Sequence, residues 1–129
     1  MISTRSDAEK FAEEWARAWN RRDVEAVLAH FRANIIFASP TALAVTGSPV
    51  VHGKDALRAY WTKALARTGS IRFSVLRVVW DAASRELAII YHADIDGRSG
   101  TVSENLIFDD DGLVATAEVF HGVPTSSEP

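Results

Sequence analysis

The sequence predicts one α+β domain, with three helices packed over a curved antiparallel sheet. The sheet rolls into a cone that encloses a pocket for a small apolar molecule. Three observations point to this architecture. Apolar residues recur at helical spacing through the first part of the chain. From Ile71 onward, β-prone segments alternate with short, turn-rich connections. Asp96-Gly97 is a strong hairpin signal, because aspartate and glycine tolerate positive φ. Helices first and a strand meander afterwards fit α+β better than a parallel α/β sheet. The 129 residues suit a single domain over 1–129, with an ordered core over about 6–122 and a frayed tail over 123–129.

The first helix opens at Ser6, which forms a capping box with Glu9. Ala8, Phe11, Ala12, Trp15 and Trp19 then share one face, and Asn20-Arg21-Arg22 closes the helix with cations at its C-terminus. Asp23 caps a short second helix with Val24, Val27, Leu28 and Phe31 inward. Residues 34–39 form a β-prone run, including Phe37, that stops at Pro40. Thr41 to Val50 contains Gly47 and Pro49 and reads as a loop, with room for a short strand. Gly53-Lys54-Asp55 opens the third helix, whose apolar face carries Leu57, Tyr60, Trp61, Ala64 and Leu65, and Thr68-Gly69 closes it. Four strands follow, over 71–80, 87–95, 98–108 and 113–122, with Asp109 to Gly112 as a loop between the last two.

Composition narrows the function. A net charge of −3 without a basic run gives no nucleic-acid footprint. The absence of cysteine rules out disulfides and thiolate metal sites, and it suits a reducing cytoplasm, which is the expected location. The N-terminal residues lack the apolar core of a signal peptide, and no stretch reaches the roughly 18 apolar residues of a membrane span. Four scattered histidines show no ligand spacing, so no metal site is expected. No phosphate-binding glycine loop or nucleophile elbow is present, and no cofactor is expected. His30 and His52 flank helix ends and read as exposed.

The hairpins set a register, and register sorts the faces. Ile95 pairs with Arg98, so Tyr91 pairs with Val102 and Ile89 with Glu104. If Phe108 pairs with Leu113, Glu104 faces Ala117 and Val102 faces Val119. Leu87, Ile89, Tyr91, Val102, Leu106, Leu113, Ala115 and Val119 then form an apolar inner face, with Glu104 as its odd member. A carboxylate there is costly unless it is paired, hydrogen-bonded or protonated, and burial would raise its pKa. The ordinary alternative is an arginine partner or a place at the sheet rim. His121 shares the inner parity near the strand end, whereas His92 lies outside. The outer face mixes small apolar and hydroxyl residues and suits a homodimer interface. Tyr91 could orient a ligand or serve as a core tyrosine. Trp15, Trp19, Tyr60 and Trp61 could line a pocket for a flat apolar ligand or simply pack the core.

Several segments together carry a family resemblance. They are Trp15-Ala-Arg-Ala-Trp19-Asn20-Arg-Arg-Asp23, Val27-Leu28-Ala-His-Phe31, Asn34-Ile-Ile-Phe-Ala-Ser39-Pro40, Gly53-Lys-Asp-Ala-Leu57-Arg-Ala-Tyr60-Trp61 and Phe108-Asp-Asp-Asp-Gly112. The chain resembles the nuclear-transport-factor-2-like superfamily, and most of all its SnoaL-like and ketosteroid-isomerase-like bacterial members, over about 6–122. The resemblance implies a cystatin-like cone. It also implies a cofactor-independent isomerase, cyclase or dehydratase acting on a small apolar carbonyl compound, or a non-catalytic ligand-binding or dimerisation module of the same fold. Ketosteroid isomerases keep an aspartate base before a proline at the end of the first strand, and Ser39 matches that place. Trp15 matches their oxyanion-binding tyrosine, and Glu104, four residues before Phe108, matches their second pocket acid. A serine hydroxyl cannot act as that base near neutral pH, so Glu104 and Tyr91 become the catalytic candidates. Trp15, Trp19, Phe37, Ser39, Tyr60, Trp61, Ile89, Val102, Val119 and His121 become the ligand-binding candidates.

Overall fold

A computed structural model of the chain describes residues 1–124; of the expected tail, Val123 and Pro124 continue the last strand, and 125–129 lie outside the described residues. Its elements run α1 (Arg5–Asn20), α2 (Val24–Leu28), β1 (Phe31–Ala38), α3 (Pro40–Thr46), β2 (Val50–His52), α4 (Lys54–Ala66), β3 (Ile71–Asp81), β4 (Glu86–Ile95), β5 (Arg98–Phe108) and β6 (Val114–Pro124). The helices pack on one face of a six-stranded sheet ordered β2-β1-β6-β5-β4-β3. The sheet is not wholly antiparallel as expected: β1 runs parallel to β6, because α3, β2, α4 and the whole meander lie between them. Irregularities in β3, β5–β6 and β1–β6 bend the strands and curve the sheet.

The first cap falls two residues earlier than the sequence predicts. Thr4, not Ser6, is the N-cap: its hydroxyl accepts from the Asp7 amide at 3.1 Å, and the Asp7 carboxylate accepts from the Thr4 amide at 3.1 Å. Starting at Arg5 brings Ala8 fully inside as part of the first turn. The helix ends where expected, and Asp23 caps α2 by accepting from the Ala26 amide at 3.0 Å. Phe31 is buried as predicted, but as the first residue of β1 rather than on α2.

Residues 41–46, expected in a loop, form with Pro40 a fourth helix. Its signals are local. Ser39 caps the start through the Thr41 amide at 3.2 Å, Pro40 sits in the first turn, and Gly47 ends the helix at φ 85°. Most of its surface is exposed, so the apolar periodicity that reveals a buried helix is missing. His30 is half-buried rather than exposed, edge-on to Phe11 at 4.8 Å, while His52 is exposed.

The β4–β5 hairpin has the predicted register, with Asp96 and Gly97 both at positive φ. The next hairpin differs. Asp109 holds a longer loop, its carboxylate accepting from the Asp111 and Leu113 amides at 2.9 and 3.0 Å, and Phe108 pairs with Val114 instead of Leu113. A further irregularity between Ile107 and Phe108 shifts the ladder again. Glu104 therefore stands opposite Val119 rather than Ala117, and Val102 opposite His121 rather than Val119. The two one-residue shifts restore parity beyond the bulge, so Val119 stays inside, but Leu113, expected on the inner face, falls in the loop and Val114 takes the buried place opposite Phe108.

Candidate functional site

The site begins with the sheet. β4 and β5 put Ile89 beside Glu104 and Tyr91 beside Val102 on the inner face, all of them buried. α1 lays Trp15 and Trp19 over that face, one turn apart. α4 brings Tyr60 and Trp61, and β1 contributes Phe37 and, at its end, Ser39. Buried positions thus gather all the candidates except two. Val119 is half-buried, and His121 is exposed at the strand end.

The aromatic rings make a continuous circuit. Tyr91 meets Trp15 at 4.9 Å between ring centres, and Trp15 stacks on Phe73 at 5.6 Å. Phe73 lies 6.2 Å from Trp19, which meets Trp61 at 4.8 Å. Trp61 meets Phe37 at 5.4 Å, and Phe37 meets Tyr60 at 6.1 Å. Glu104 shares the inner face with Tyr91, one pleat away across the β4–β5 pair. Sequence reasoning missed Phe73, although Ile71, Phe73 and Val75 alternate as an inward strand face does. It also missed Asn20, whose side chain clips the Phe73 backbone, donating to its carbonyl at 2.9 Å and accepting from its amide at 2.7 Å.

Glu104 is 5% exposed, and its Oε2 has no hydrogen-bond partner. No ion pair reaches it among the described residues, so it is neither the arginine-paired nor the rim carboxylate of the ordinary alternative. Burial away from water pushes its pKa up to about 8. At neutral pH the group is therefore mainly a neutral carboxylic acid, able to donate a hydrogen bond. Burial, and then the Glu104 charge, push the Tyr91 phenol well up. Burial also raises the Tyr60 phenol, the neighbouring Ser39 hydroxyl opposes that shift, and the Glu104 charge adds to it. The indole N–H groups of Trp15 and Trp19 are buried without acceptors. The interior thus combines one acid of near-neutral pKa with several neutral hydrogen-bond donors in apolar surroundings.

Ser39 also borders a surface cleft that Glu104, Tyr60, Tyr91, Trp15 and Trp19 do not line. A cleft of about 400 Å3 is lined by Ala38, Ser39, Pro40, Pro49 and residues 118–121 of β6. It opens at the end of β1, where β6 continues past its parallel partner. His121 stands at this mouth rather than in the interior. Among the described residues, no group of three or more His, Asp or Glu side chains could hold a metal ion. No helix among them is long and apolar enough to cross a membrane.

Residues 12–121 match the family model described as the SnoaL-like domain. Among curated proteins, none matches the chain by sequence. Several solved structures share the architecture. A SnoaL-like protein of unknown function from Burkholderia thailandensis E264 is 27% identical, with a TM-score of 0.83 over 93% of this chain and 98% of that one. A provisionally named ketosteroid isomerase from Kribbella flavida DSM 17836 is 16% identical, with a TM-score of 0.71 over 95% of this chain and 82% of that one. The epoxide hydrolase/cyclase-like enzyme SalBIII, of pyran ring formation in salinomycin, is 17% identical, with a TM-score of 0.70 over 92% of each chain. The last two show a common fold.

Proposed function

The chain belongs to the SnoaL-like domain family, and from that premise we propose that it is a cofactor-independent acid–base enzyme acting on a small, largely apolar carbonyl compound. Glu104 is the proton-transferring group, and Tyr91, with Trp15, supplies hydrogen-bond donors to the carbonyl oxygen. The observation that carries this reading is an unpaired carboxyl group, raised to about 8, inside a circuit of aromatic side chains. A pKa near the working pH makes one group serviceable as both base and acid.

The chemistry follows from that single group. The ionised Glu104 takes a proton from the carbon next to the carbonyl. The C–H electron pair becomes a C=C bond, and the carbonyl π pair moves onto oxygen, where an O–H or N–H donor holds the negative charge. The carboxylic acid then returns its proton to carbon, which restores the enzyme with no net proton consumed. Ser39 has no part as a base, because its hydroxyl caps α3. The ligand enters by the cleft at Ser39 and His121.

The test is exchange of α-hydrogens of 2-tetralone in D2O, followed by NMR. Wild-type protein is expected to accelerate exchange, with a rate that rises with pH as the carboxylate forms and levels off above about 8. Glu104→Gln is expected to fall to the buffer rate while keeping the native circular dichroism. Equal exchange by both proteins removes Glu104 from the mechanism. The alternative, a non-catalytic binding or dimerisation module, draws on the place of Ser39, where related isomerases keep a carboxylate. It predicts saturable binding of the ketone with exchange at the buffer rate.

A further inference from the structure

We infer that Asn20 is a positioning residue for the proton transfer: it fixes one of the two rings that brace the Tyr91 donor. This rests on the reading of Tyr91 as a hydrogen-bond donor at the site, and it adds a residue that touches no reacting atom. Asn20 is the last residue of α1. Phe73 lies on β3, an edge strand whose outer side has no strand neighbour. The Asn20 carboxamide takes the neighbour's place. Its nitrogen donates to the Phe73 carbonyl at 2.9 Å, and its oxygen accepts from the Phe73 amide at 2.7 Å. A carboxamide offers a donor and an acceptor side by side, as a paired strand does. β3 stays in register with β4 only from Ile71 to Val75 before its ladder shifts. The clip therefore fixes the middle of this short stretch from outside.

Phe73 passes this restraint inward. Its ring lies 4.7 Å from Tyr91 and stacks on Trp15 at 5.6 Å. Trp15 meets Tyr91 edge-on at 4.9 Å, so the three rings form a triangle in which the other two brace Tyr91. The two braces are not held alike. Trp15 is 1% exposed within α1, whereas Phe73 is only half-buried on its edge strand. The clip thus acts on the brace that burial holds least. Its two hydrogen bonds lie at the surface, where water can replace them, so losing them costs the fold little. Their consequence is geometric. An error of about 1 Å in the placing of a group at a reacting centre can cost roughly a hundredfold in rate. Tyr60, the other tyrosine of the chain, stands against Phe37 at 6.1 Å, elsewhere on the circuit.

The chain has two tyrosines, so NMR of ring-labelled tyrosine reads each one separately, with Tyr91→Phe as the assignment. In the wild-type protein the Tyr91 ring is expected to flip slowly enough to give separate signals for its two edges. Asn20→Ala is expected to average them and to leave the Tyr60 signals in place. With 2-tetralone in D2O, the same variant is expected to lose about tenfold or more in the saturated exchange rate, with KM nearly unchanged. The rise with pH to a plateau above about 8 is expected to stay, because Glu104 is untouched. Asn20→Asp keeps the bond from the Phe73 amide and loses the other, so it is expected to fall between. Tyr91 signals already averaged in wild type, or unchanged in both Asn20 variants, overturn the inference. So does equal loosening of Tyr60, or a loss confined to KM, since either marks a merely structural contact. Wild-type exchange at the buffer rate, with the Tyr91 ring still slow, overturns the catalytic reading instead: the clip then braces a ring that serves no proton transfer.

Discussion

At the scale of single residues, the decisive cost is carried by Glu104. Its carboxyl is raised by burial to about 8 from a solvated value near 4.5. The direction of the linkage follows. Below about pH 4.5 both folded and unfolded chains hold the proton, and Glu104 makes stability independent of pH. Between about 4.5 and 8 the unfolded chain releases it while the fold retains it, so stability falls as pH rises. The expected slope is about 1.4 kcal/mol per pH unit. Above 8 both states are ionised and the loss is complete. Glu104→Gln removes the titration, so the variant should gain on wild type as pH increases and differ least near pH 4. Urea denaturation at pH 4.5, 6 and 8 measures this directly. Parallel pH dependence in the two proteins would show that the carboxyl titrates as a solvated group.

At the scale of elements, close approach of β5 and β6 shapes the mouth beside His121. A Cβ added to Gly122 would lie 2.8 Å from the Thr101 carbonyl oxygen, a backbone atom that cannot swing aside. Gly122→Ala should therefore push the two strands apart and destabilise the protein by about 1–3 kcal/mol. A lower urea midpoint at unchanged m would report it; an unchanged midpoint would mean that the strands do not depend on this approach. Nothing in the composition marks Gly122 as different from a loop glycine, because the constraint comes from another strand. The elements differed in how legible they were for similar reasons. The Asp96-Gly97 turn is local chemistry, and it gave the β4–β5 register, hence the neighbours of Glu104. The β5–β6 pairing depends on how Asp109 wraps its loop and on a bulge, neither of which has a period to read. The parallel β1–β6 contact joins distant parts of the chain and leaves no local mark at all. Phe73 belongs to the site because Asn20 clips an edge strand to a helix, a contact invisible in either segment alone.

At the scale of the whole molecule, the helices cover one face of the sheet, so the other face must meet solvent or another surface. Ile36, Val79, Ile107 and Phe120 are exposed there, with Ala88 and Ile90 half-buried among them. Across the face, Glu86 lies in the row of Ile36 and Ile107, and Glu118 in the next. Arg77 and Arg72 lie on β3, toward the other end of the strands, with Asp94 directly beside Arg72. A twofold axis through the centre of such a face turns Glu86 and Glu118 of one copy toward Arg77 of the other, while the apolar residues meet in the middle. Our reading therefore has two copies pairing back to back over these outer faces. Sedimentation velocity over a hundredfold concentration range should show a dimer that dissociates on dilution. Ile107→Glu should give a monomer at every concentration, because it places an unpaired charge among the apolar residues of the face. The same substitution should leave ketone exchange intact, since Ile107 faces outward opposite Glu86 and does not line the cleft. A wild-type protein that sediments as a monomer throughout would reject the pairing without touching the site.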